Sequence, residues 1–185
     1  TLIPLSFREE QYNVHSSQVF WTNCLDALGD WFDRIGEHTK AESLDKDVSG
    51  MDARSGSALE LFSKWIKYEN KRPLLLLDNI DLIFSGLKKE VGYLDIFEPR
   101  TDGIIIVGGS ATTVDVICEP DGALHHAFAV TQLDRLSKAE LIACLRSLAL
   151  ARGTEGENVL QVLSSDSARV KTMHDLTGGN PRTLT

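Results

Sequence analysis

The most distinctive hydrophobic pattern in the chain is a run of four leucines at residues 74–77, which is followed closely by Asp78, Asn79 and Asp81. A run without polar alternation is typical of a strand that is buried on both faces, as in the middle of a parallel sheet. Pro73 suits the start of a strand, and the run is too short for a typical helix. The pattern therefore predicts a central parallel strand with acidic residues at its carboxyl end.

Two further segments have clear strand patterns. Residues 103–109 form a β-branched run bounded by glycine, and residues 2–7 form a short apolar segment. Residues 127–130 show a weaker strand pattern. Residues 78–103 are long enough for a right-handed helical crossover between the leucine run and the β-branched run. These segments predict an α/β fold with a parallel sheet.

Apolar residues at spacings of three and four predict the helices of this part of the chain. One helix covers residues 16–36, and a second begins at residues 57–60, which have the form of a capping box. A third covers residues 80–97, with an interruption near one of its glycines. Residues 37–56 are polar and weakly periodic, so we expect a loop or a short irregular helix there.

The pattern becomes entirely helical after about residue 131. Residues 137–140 have the form of a capping box and begin a helix, one or two helices follow within residues 157–177, and Gly178 and Gly179 supply a left-handed stop. We therefore predict two domains, an α/β core at residues 1–131 and a partial helical lid at residues 132–185.

Composition and charge narrow the class of protein. With 185 residues and 42% hydrophobic content, the chain is long enough to bury a core. Its net charge is −8 without a basic cluster, which disfavours direct nucleic-acid binding by these residues. No apolar stretch approaches the roughly 18–20 residues that span a bilayer. Cys24, Cys118 and Cys144 have neither metal-ligand spacing nor a disulfide framework, so we expect a reducing, cytoplasmic compartment.

Polar side chains follow two of the predicted strands at the same relative position. Asp78 and Asn79 follow the leucine strand, and Ser110 and Thr112 follow the β-branched strand. Ligands of open parallel sheets bind beyond the carboxyl ends of the strands. A carboxylate there binds Mg²⁺ directly or through water, and the metal is commonly shared with phosphates. Hydroxyls on the neighbouring strand end are suited to hydrogen-bond a phosphate oxygen.

Three motifs, in this order, resemble a known family. Residues 74–78 resemble a Walker B strand, residues 103–113 a sensor-1 strand with its polar tip, and residues 178–182 the Gly-Gly-x-x-Arg motif of a helical lid. Together they resemble the AAA+/STAND branch of the P-loop NTPases, particularly bacterial STAND-type ATPases and more distantly the origin-recognition ATPases. The resemblance implies a three-layer, parallel-sheet P-loop NTPase-type core with a C-terminal helical lid.

The resemblance also implies roles for individual residues, with ATP and Mg²⁺ as ligands. Asp78 would hold the water shell of Mg²⁺. Asn79 stands where many relatives have the glutamate that activates water; an amide orients water but cannot accept its proton, so we expect slow or regulated hydrolysis. Asp81 is a candidate substitute base. Arg100 stands roughly where relatives place an arginine finger that acts on a neighbouring subunit.

The remaining implied roles concern the γ-phosphate and the adenine. Ser110 or Thr112 would sense the γ-phosphate, Arg182 would reach the phosphates from a lid helix, and Pro181 would lie against the adenine. These positions also have simpler interpretations. The two hydroxyls are suited to cap the next helix, and residues 178–182 are suited to end one helix and begin another.

The sequence lacks the Gly-x-x-x-x-Gly-Lys-[Ser/Thr] phosphate-binding loop of this family. In the family this loop precedes the strand that we place at residues 2–7. We therefore expect that the chain starts after the loop and stops within the lid, so that the fold is truncated at both ends. The alternative is a chain that has lost the loop and binds nucleotide weakly or not at all.

The expected function is that of an ATP-binding regulatory ATPase that acts as a nucleotide-dependent switch, passing its change to attached domains or to further copies of itself. Two alternatives stay open. A degenerate NTPase fold that serves as a protein–protein interaction module is favoured by Asn79 and by the missing loop. A replication-initiator-like ATPase that acts on DNA would require a basic domain outside these residues. We expect no membrane partner.

Overall fold

The structure is a computed structural model in which two compact units are present, Thr1–Val130 and Thr131–Thr185. The residues that it describes are 2–8, 13–51, 57–98, 103–165 and 167–180. The first unit holds a sheet with its helices, whereas the described residues of the second form helices and turns.

Three parallel strands form the sheet of the first unit. They are β1 (Leu2–Ser6), β2 (Arg72–Leu77) and β3 (Ile105–Gly108), and they lie in the order β1-β2-β3. Leu75 pairs with Leu5 on one side and with Ile106 on the other, so the leucine run is the central strand. The predicted α/β class and the predicted parallel central strand are therefore confirmed.

Burial of the central strand differs between its two faces. Leu75 and Leu77 are buried, whereas Leu74 and Leu76 are half-buried. The unbroken leucine run predicted full burial of both faces. Among the described residues, one face is covered completely and the other only in part.

The weaker strand pattern at residues 127–130 was misleading. These residues form a turn and an irregular segment, in which the N–H of Ala127 donates to the carbonyl of Leu124 at 2.9 Å. Ala127 and Phe128 are partly buried against the core, and Val130 is 57% exposed. The apolar side chains therefore serve packing, while the backbone of Ala127 is already used in a local turn.

Five helices and one 3₁₀ turn complete the described part of the first unit. Their bounds are α1 Ser17–Arg34, α2 His38–Ser49, α3 Ala58–Glu69, α4 Ile80–Leu87, α5 Asp115–Cys118 and the 3₁₀ turn Tyr93–Ile96. The break between α4 and the turn matches the predicted interruption, and it contains Gly92 with a φ of 78°. The residues of α5 are a single turn of helix.

Two local predictions in this region were wrong. Where we expected a loop or an irregular helix, α2 is a regular helix of 12 residues; its buried residues are only Ala41 and Leu44, which explains the weak periodicity. Ser57 precedes α3 but its side chain makes no capping hydrogen bond, so the predicted capping box does not form.

The core of the first unit is organised around α1. This helix packs against β1, α2 and α3, and its side chains Phe20, Leu25, Leu28 and Phe32 are all fully buried. The ring of Phe20 meets that of Trp21 edge to face at 5.1 Å. Because α1 contacts both the sheet and two other helices, it connects the strands to the helical side of the unit.

α4 lies directly against the segment that leads into α1. A Cβ placed on Gly86 would lie 1.8 Å from the carbonyl oxygen of Val14, which is backbone and cannot move alone. Glu90 holds the same segment, because its carboxylate accepts hydrogen bonds from the N–H of Ser17 at 2.5 Å and from the Ser17 hydroxyl at 2.7 Å. The start of α1 is therefore fixed by contacts from α4 and the loop after it.

One nearly buried carboxylate joins α2 to α3. The side chain of Glu69 is 6% exposed and lies 2.8 Å from Nζ of Lys40 and 3.7 Å from Nζ of Lys71. Lys71 also lies over the ring of Trp31, 4.8 Å from its centroid. The hydrogen bond to Glu69 is the main cause that raises the pKa of Lys40 above its usual value.

The second unit contains three helices among its described residues. They are α6 (Lys138–Ala151), α7 (Glu157–Ser165) and α8 (Ser167–Thr177), with a 3₁₀ turn at Gly153–Gly156. The predicted capping box is confirmed: the Ser137 hydroxyl accepts from the N–H of Glu140, and the Glu140 carboxylate accepts from the N–H of Ser137.

Gly178 and Gly179 end α8 with positive φ angles of 58° and 72°, as predicted. The N–H of Leu136 donates to the carbonyl of Gly179 at 2.9 Å. A Cβ on Gly179 would lie 2.3 Å from the carbonyl oxygen of Leu136. The second glycine is thus required where the end of α8 meets the residues that precede α6. In the described parts of both units, no helix is long and apolar enough to cross a membrane.

The contact at Gly86 predicts a sharp difference between two glycine substitutions. Gly86→Ala should lower the free energy of unfolding by about 1–3 kcal/mol, because the new methyl group clashes with backbone. Gly29→Ala is the matched control: its Cβ would lie 3.8 Å from Cδ2 of Leu44, an ordinary contact, so the better helix propensity of alanine should leave stability equal or higher. Urea unfolding monitored by circular dichroism measures both, and a Gly86→Ala variant as stable as the wild type would contradict the docking of α4.

The Lys40–Glu69 pair predicts a pH-dependent contribution to stability. A folded-state pKa above the unfolded value means that the stabilisation is fully present below the unfolded lysine pKa and is lost as pH rises through the folded pKa. Lys40→Gln should therefore be less stable than the wild type by about 1 kcal/mol at pH 8, and this difference should shrink above about pH 10.4. Lys64→Gln, an exposed position on the same helix as Glu69, is the control for general lysine titration. A pH-independent difference for Lys40→Gln would count against the pair.

Candidate functional site

The carboxyl ends of β2 and β3 meet at one edge of the sheet, as predicted. Leu77 pairs with Gly108 in the parallel ladder. The N–H of Gly109 then donates to the carbonyl of Leu77 at 2.8 Å, and the N–H of Ile80 donates to the carbonyl of Gly109 at 2.9 Å. These two hydrogen bonds join the connection after β2 to the connection after β3. We call the two connections, residues 78–79 and 109–112, the strand-end site.

A depression of about 360 Å³ opens beside this site. All three strands contribute their carboxyl ends to it. The lining residues are Ser6 and Phe7 from the end of β1, Leu76, Leu77 and Asp78 from the end of β2, and Val107 and Gly109 from the end of β3. The depression is therefore at the edge where ligands of parallel sheets bind.

Asp78 presents an exposed carboxylate to this depression. Its Oδ1 accepts a hydrogen bond from the N–H of Asn79 at 3.0 Å. A Cβ on Gly109 would lie 3.2 Å from the same oxygen, which is tighter than an ordinary contact. A glycine at position 109 therefore makes room for the carboxylate. A hard oxygen ligand in this position suits Mg²⁺, which is commonly held by one or two carboxylates together with phosphates and water.

Asn79 occupies a special backbone position. It precedes α4 with a φ of 50° and a ψ of 46°, in the left-handed region, and its side chain makes no capping hydrogen bond. Residues other than glycine rarely adopt this conformation, and asparagine is one of the few that tolerate it. The turn that directs the chain from β2 into α4 therefore constrains which residues can stand at this position.

Asp81 and Thr112 are brought together although they are 31 residues apart. The Thr112 hydroxyl donates to Oδ2 of Asp81 at 2.9 Å. Oδ1 of Asp81 is buried and has no hydrogen-bond partner among the described residues. A buried, unpaired carboxylate oxygen is uncommon in proteins. The one oxygen of Asp81 that has a partner is thus held by the loop after β3.

Ser110 closes a local turn with Thr112. Its hydroxyl donates to the carbonyl of Thr112 at 2.5 Å and accepts from the N–H of Thr112 at 3.3 Å. Neither residue caps the following helix, because the residue that precedes α5 is Val114 and its side chain has no capping role. The capping interpretation of these two hydroxyls is therefore wrong. Both side chains belong to the strand-end site instead.

The three other predicted site residues lie outside the described part of the chain. These residues are Arg100, Pro181 and Arg182. Their roles as an arginine finger, an adenine contact and a phosphate contact stay predictions. Asp78, Asn79, Asp81, Ser110 and Thr112, in contrast, all lie on the two connections or in the first turn of α4.

Sequence reasoning missed two features of this site. The first is the pairing of Asp81 with Thr112, since no local pattern signals a contact between these two connections. The second is the close approach of Ile80 to Gly108, where a Cβ would lie 2.8 Å from Cδ1 of Ile80, so that side chain would have to shift. The two glycines that follow the β-branched strand were a signal for close approach of another segment. We interpreted them only as the boundary of a strand.

Other candidate chemical groups have structural partners. Nδ1 of His125 lies 3.0 Å from the carbonyl of Ile117, and Nε2 of His126 lies 3.4 Å from the carboxylate of Glu98. Burial, with a smaller effect of Asp26, raises the pKa of the Cys24 thiol well above its usual value. Within the described ranges, no cluster of three or more His, Cys, Asp or Glu side chains is arranged to hold a metal.

Comparisons of the chain with protein-family models, with curated proteins and with solved structures gave no match. Function is therefore inferred from the residues and their geometry.

The backbone at position 79 predicts different effects for two substitutions. Asn79→Ala should lower the free energy of unfolding by about 1–2 kcal/mol, because alanine is strained in the left-handed region. Asn79→Gly should stay within about 0.5 kcal/mol of the wild type, because glycine adopts this region freely. Asn70, which ends α3 with the same φ of 50°, is the matched position away from the site, and it should show the same order. Denaturant unfolding measures the stability of the alanine and glycine variants at both positions. Equal stability of Asn79→Ala and Asn79→Gly would exclude the backbone explanation.

Proposed function

We propose that the strand-end site binds the phosphates of ATP together with Mg²⁺, and that the protein acts as an ATP-binding regulatory module with slow or regulated hydrolysis. The observation that supports this most is the placement of the Asp78 carboxylate beside the polar loop at residues 109–112, on one depression at the carboxyl edge of a parallel sheet. This is the edge at which such sheets bind nucleotides.

The proposal gives each described site residue a role. Asp78 binds Mg²⁺ through its water shell, since its carboxylate is exposed at the depression. Ser110 and Thr112 supply hydroxyl groups to phosphate oxygens. Asn79 orients a water molecule without accepting its proton, which is the reason to expect slow hydrolysis. Asp81 remains the candidate base in this scheme.

The remaining parts of the proposal depend on the resemblance to AAA+/STAND P-loop ATPases. These parts are a three-layer P-loop type of core, a lid that closes on the γ-phosphate, and contacts from Pro181, Arg182 and Arg100. A lid of this kind would move between an open and a closed position as ATP binds and leaves. Its movement would carry the signal to attached domains or to a neighbouring copy, in a cytoplasmic setting.

A second candidate function is a nucleotide-independent protein-interaction module with a degenerate NTPase fold. One sequence observation favours it: an amide, which cannot accept a proton from water, stands at position 79. In this case the hydrogen bonds at the strand-end site serve only stability. Direct action on DNA receives less support, because the net charge of −8 repels the phosphate backbone on average.

Titration of the full chain with ATP distinguishes these functions. With Mg²⁺ present, isothermal titration calorimetry should show binding of ATP, and Asp78→Asn should weaken it about tenfold, because a neutral amide holds the water shell of Mg²⁺ less strongly than a carboxylate does. Chelation of the metal should weaken binding by the wild type and have little further effect on Asp78→Asn.

Glu42→Gln, an exposed charge removal on α2, is the control and should bind ATP as the wild type does. No heat at millimolar ATP with Mg²⁺ would overturn the nucleotide proposal and favour the interaction module. Unchanged binding by Asp78→Asn would remove the metal role from Asp78.

A further inference from the structure

The hydroxyl groups of the loop after β3 already donate their protons within the protein. A hydroxyl has one proton to donate. The Thr112 hydroxyl donates its proton to Oδ2 of Asp81 at 2.9 Å, and the Ser110 hydroxyl donates to the carbonyl of Thr112 at 2.5 Å. Phosphate oxygens only accept at neutral pH, so they need these same protons. An incoming phosphate must therefore compete with an acceptor that is already in place.

Of the two partners, Asp81 is the more firmly held. It lies in the first turn of α4, where the helix dipole favours a negative charge, and its Oδ1 is buried. The preceding residue, Ile80, is buried and donates its N–H to Gly109. Thr112, in contrast, is exposed. Breaking their hydrogen bond thus requires movement of the exposed loop and leaves the packed start of α4 in place.

We propose that Asp81 is a positioning residue that regulates the strand-end site by holding the Thr112 hydroxyl away from the phosphate. This inference rests on the proposed function, because it names phosphate as the competing acceptor. In the ligand-free protein the Asp81–Thr112 hydrogen bond keeps the loop in one conformation. When ATP binds, the Thr112 proton turns to a phosphate oxygen, and residues 110–112 are released from Asp81, while the hydrogen bond between Ile80 and Gly109 stays. Binding of the nucleotide is thereby coupled to the hydrogen bond between Asp81 in α4 and Thr112 in the loop after β3.

Two effects of Asp81 act in the same direction. Its carboxylate occupies the donor that a phosphate needs, and its negative charge repels the phosphate that approaches Thr112. Removal of the side chain should therefore strengthen binding of ATP. This is opposite to the result expected for a residue that binds the metal or the nucleotide directly, so the direction of the effect is informative.

The test is a double-mutant cycle of ATP binding on the full chain. In the presence of Mg²⁺, Asp81→Ala should bind ATP at least about tenfold more tightly than the wild type, as expected for loss of one hydrogen bond to a charged group. Thr112→Val should weaken binding more in the Asp81→Ala background than in the wild type, because the hydroxyl reaches the phosphate fully only when Asp81 is gone.

Two further variants separate this effect from loss of charge or of fold. Asp115→Asn removes an exposed acid at the start of α5, near the same loop, and should tighten binding less than twofold. Asp81→Asn keeps the shape of the side chain and should bind ATP with an affinity between those of the wild type and Asp81→Ala. If circular dichroism shows that Asp81→Ala is unfolded, the affinity of Asp81→Asn is compared with that of the wild type instead.

A measurement without nucleotide tests the positioning role of Asp81 separately from the proposal that the site binds ATP. Amide hydrogen exchange of residues 110–114 should become faster in Asp81→Ala by about tenfold, while exchange of Gly109, whose N–H donates to Leu77, and of α1 stays unchanged. If the wild type binds ATP but Asp81→Ala binds no more tightly, the regulatory role of Asp81 is wrong and the nucleotide proposal stands. If no variant binds ATP, the nucleotide proposal fails and the competition fails with it. Unchanged exchange in residues 110–114 would overturn the positioning role by itself.

Discussion

The site depends on one backbone junction at Gly109. Its N–H donates to Leu77, and its carbonyl accepts from Ile80. The first hydrogen bond extends the pairing of β2 and β3 by one step, and the second attaches the start of α4 to the end of β3. Backbone groups that lose their partners in a packed region carry a cost comparable to a lost hydrogen bond. Asp78 and the polar loop therefore stay together as long as the sheet itself stays paired.

Close packing at this junction also restricts which residues can stand at positions 108 and 109. Gly108 leaves space for the side chain of Ile80, and Gly109 leaves space for the carboxylate of Asp78. A Cβ at position 108 would lie 2.8 Å from Cδ1 of Ile80, so the side chain of Ile80 would have to shift. Thus the two glycines act indirectly. They contribute no functional group to the site, but they influence where the carboxylate of Asp78 lies relative to the hydroxyls of Ser110 and Thr112.

Sequence patterns predicted those parts of the fold whose signals are local. The leucine run predicted the central strand, and residues 137–140 predicted the start of α6 from a capping box that then formed. The pattern failed where burial was slight or misleading. In α2 only two side chains are buried, and the apolar residues 127–130 pack on the core without joining the sheet. Periodicity reports which side chains are buried, and it does not report whether the backbone has a strand beside it.

The same distinction applies to the site. The acid and the hydroxyls were predicted at one edge because parallel strands that are neighbours end together, a rule that needs no knowledge of side-chain contacts. The hydrogen bond between Asp81 and Thr112 was not predictable from the sequence, because it depends on the orientation of the first turn of α4 relative to the loop after β3. That orientation comes from the Gly109 junction and from Gly108, which are tertiary features. The rule for strands thus located the residues, and packing determined which of them interact.

The backbone also limits what the chemistry of this site can be. Position 79 lies in the left-handed region, where asparagine and glycine are tolerated and a residue such as glutamate carries a cost of about 1–2 kcal/mol. A glutamate that activates water and the turn that leads into α4 therefore make opposing demands on this one position. Asparagine satisfies the turn, since its short amide side chain tolerates the conformation, but it cannot accept a proton. The turn therefore favours a residue at position 79 that can orient water and disfavours one that can accept its proton.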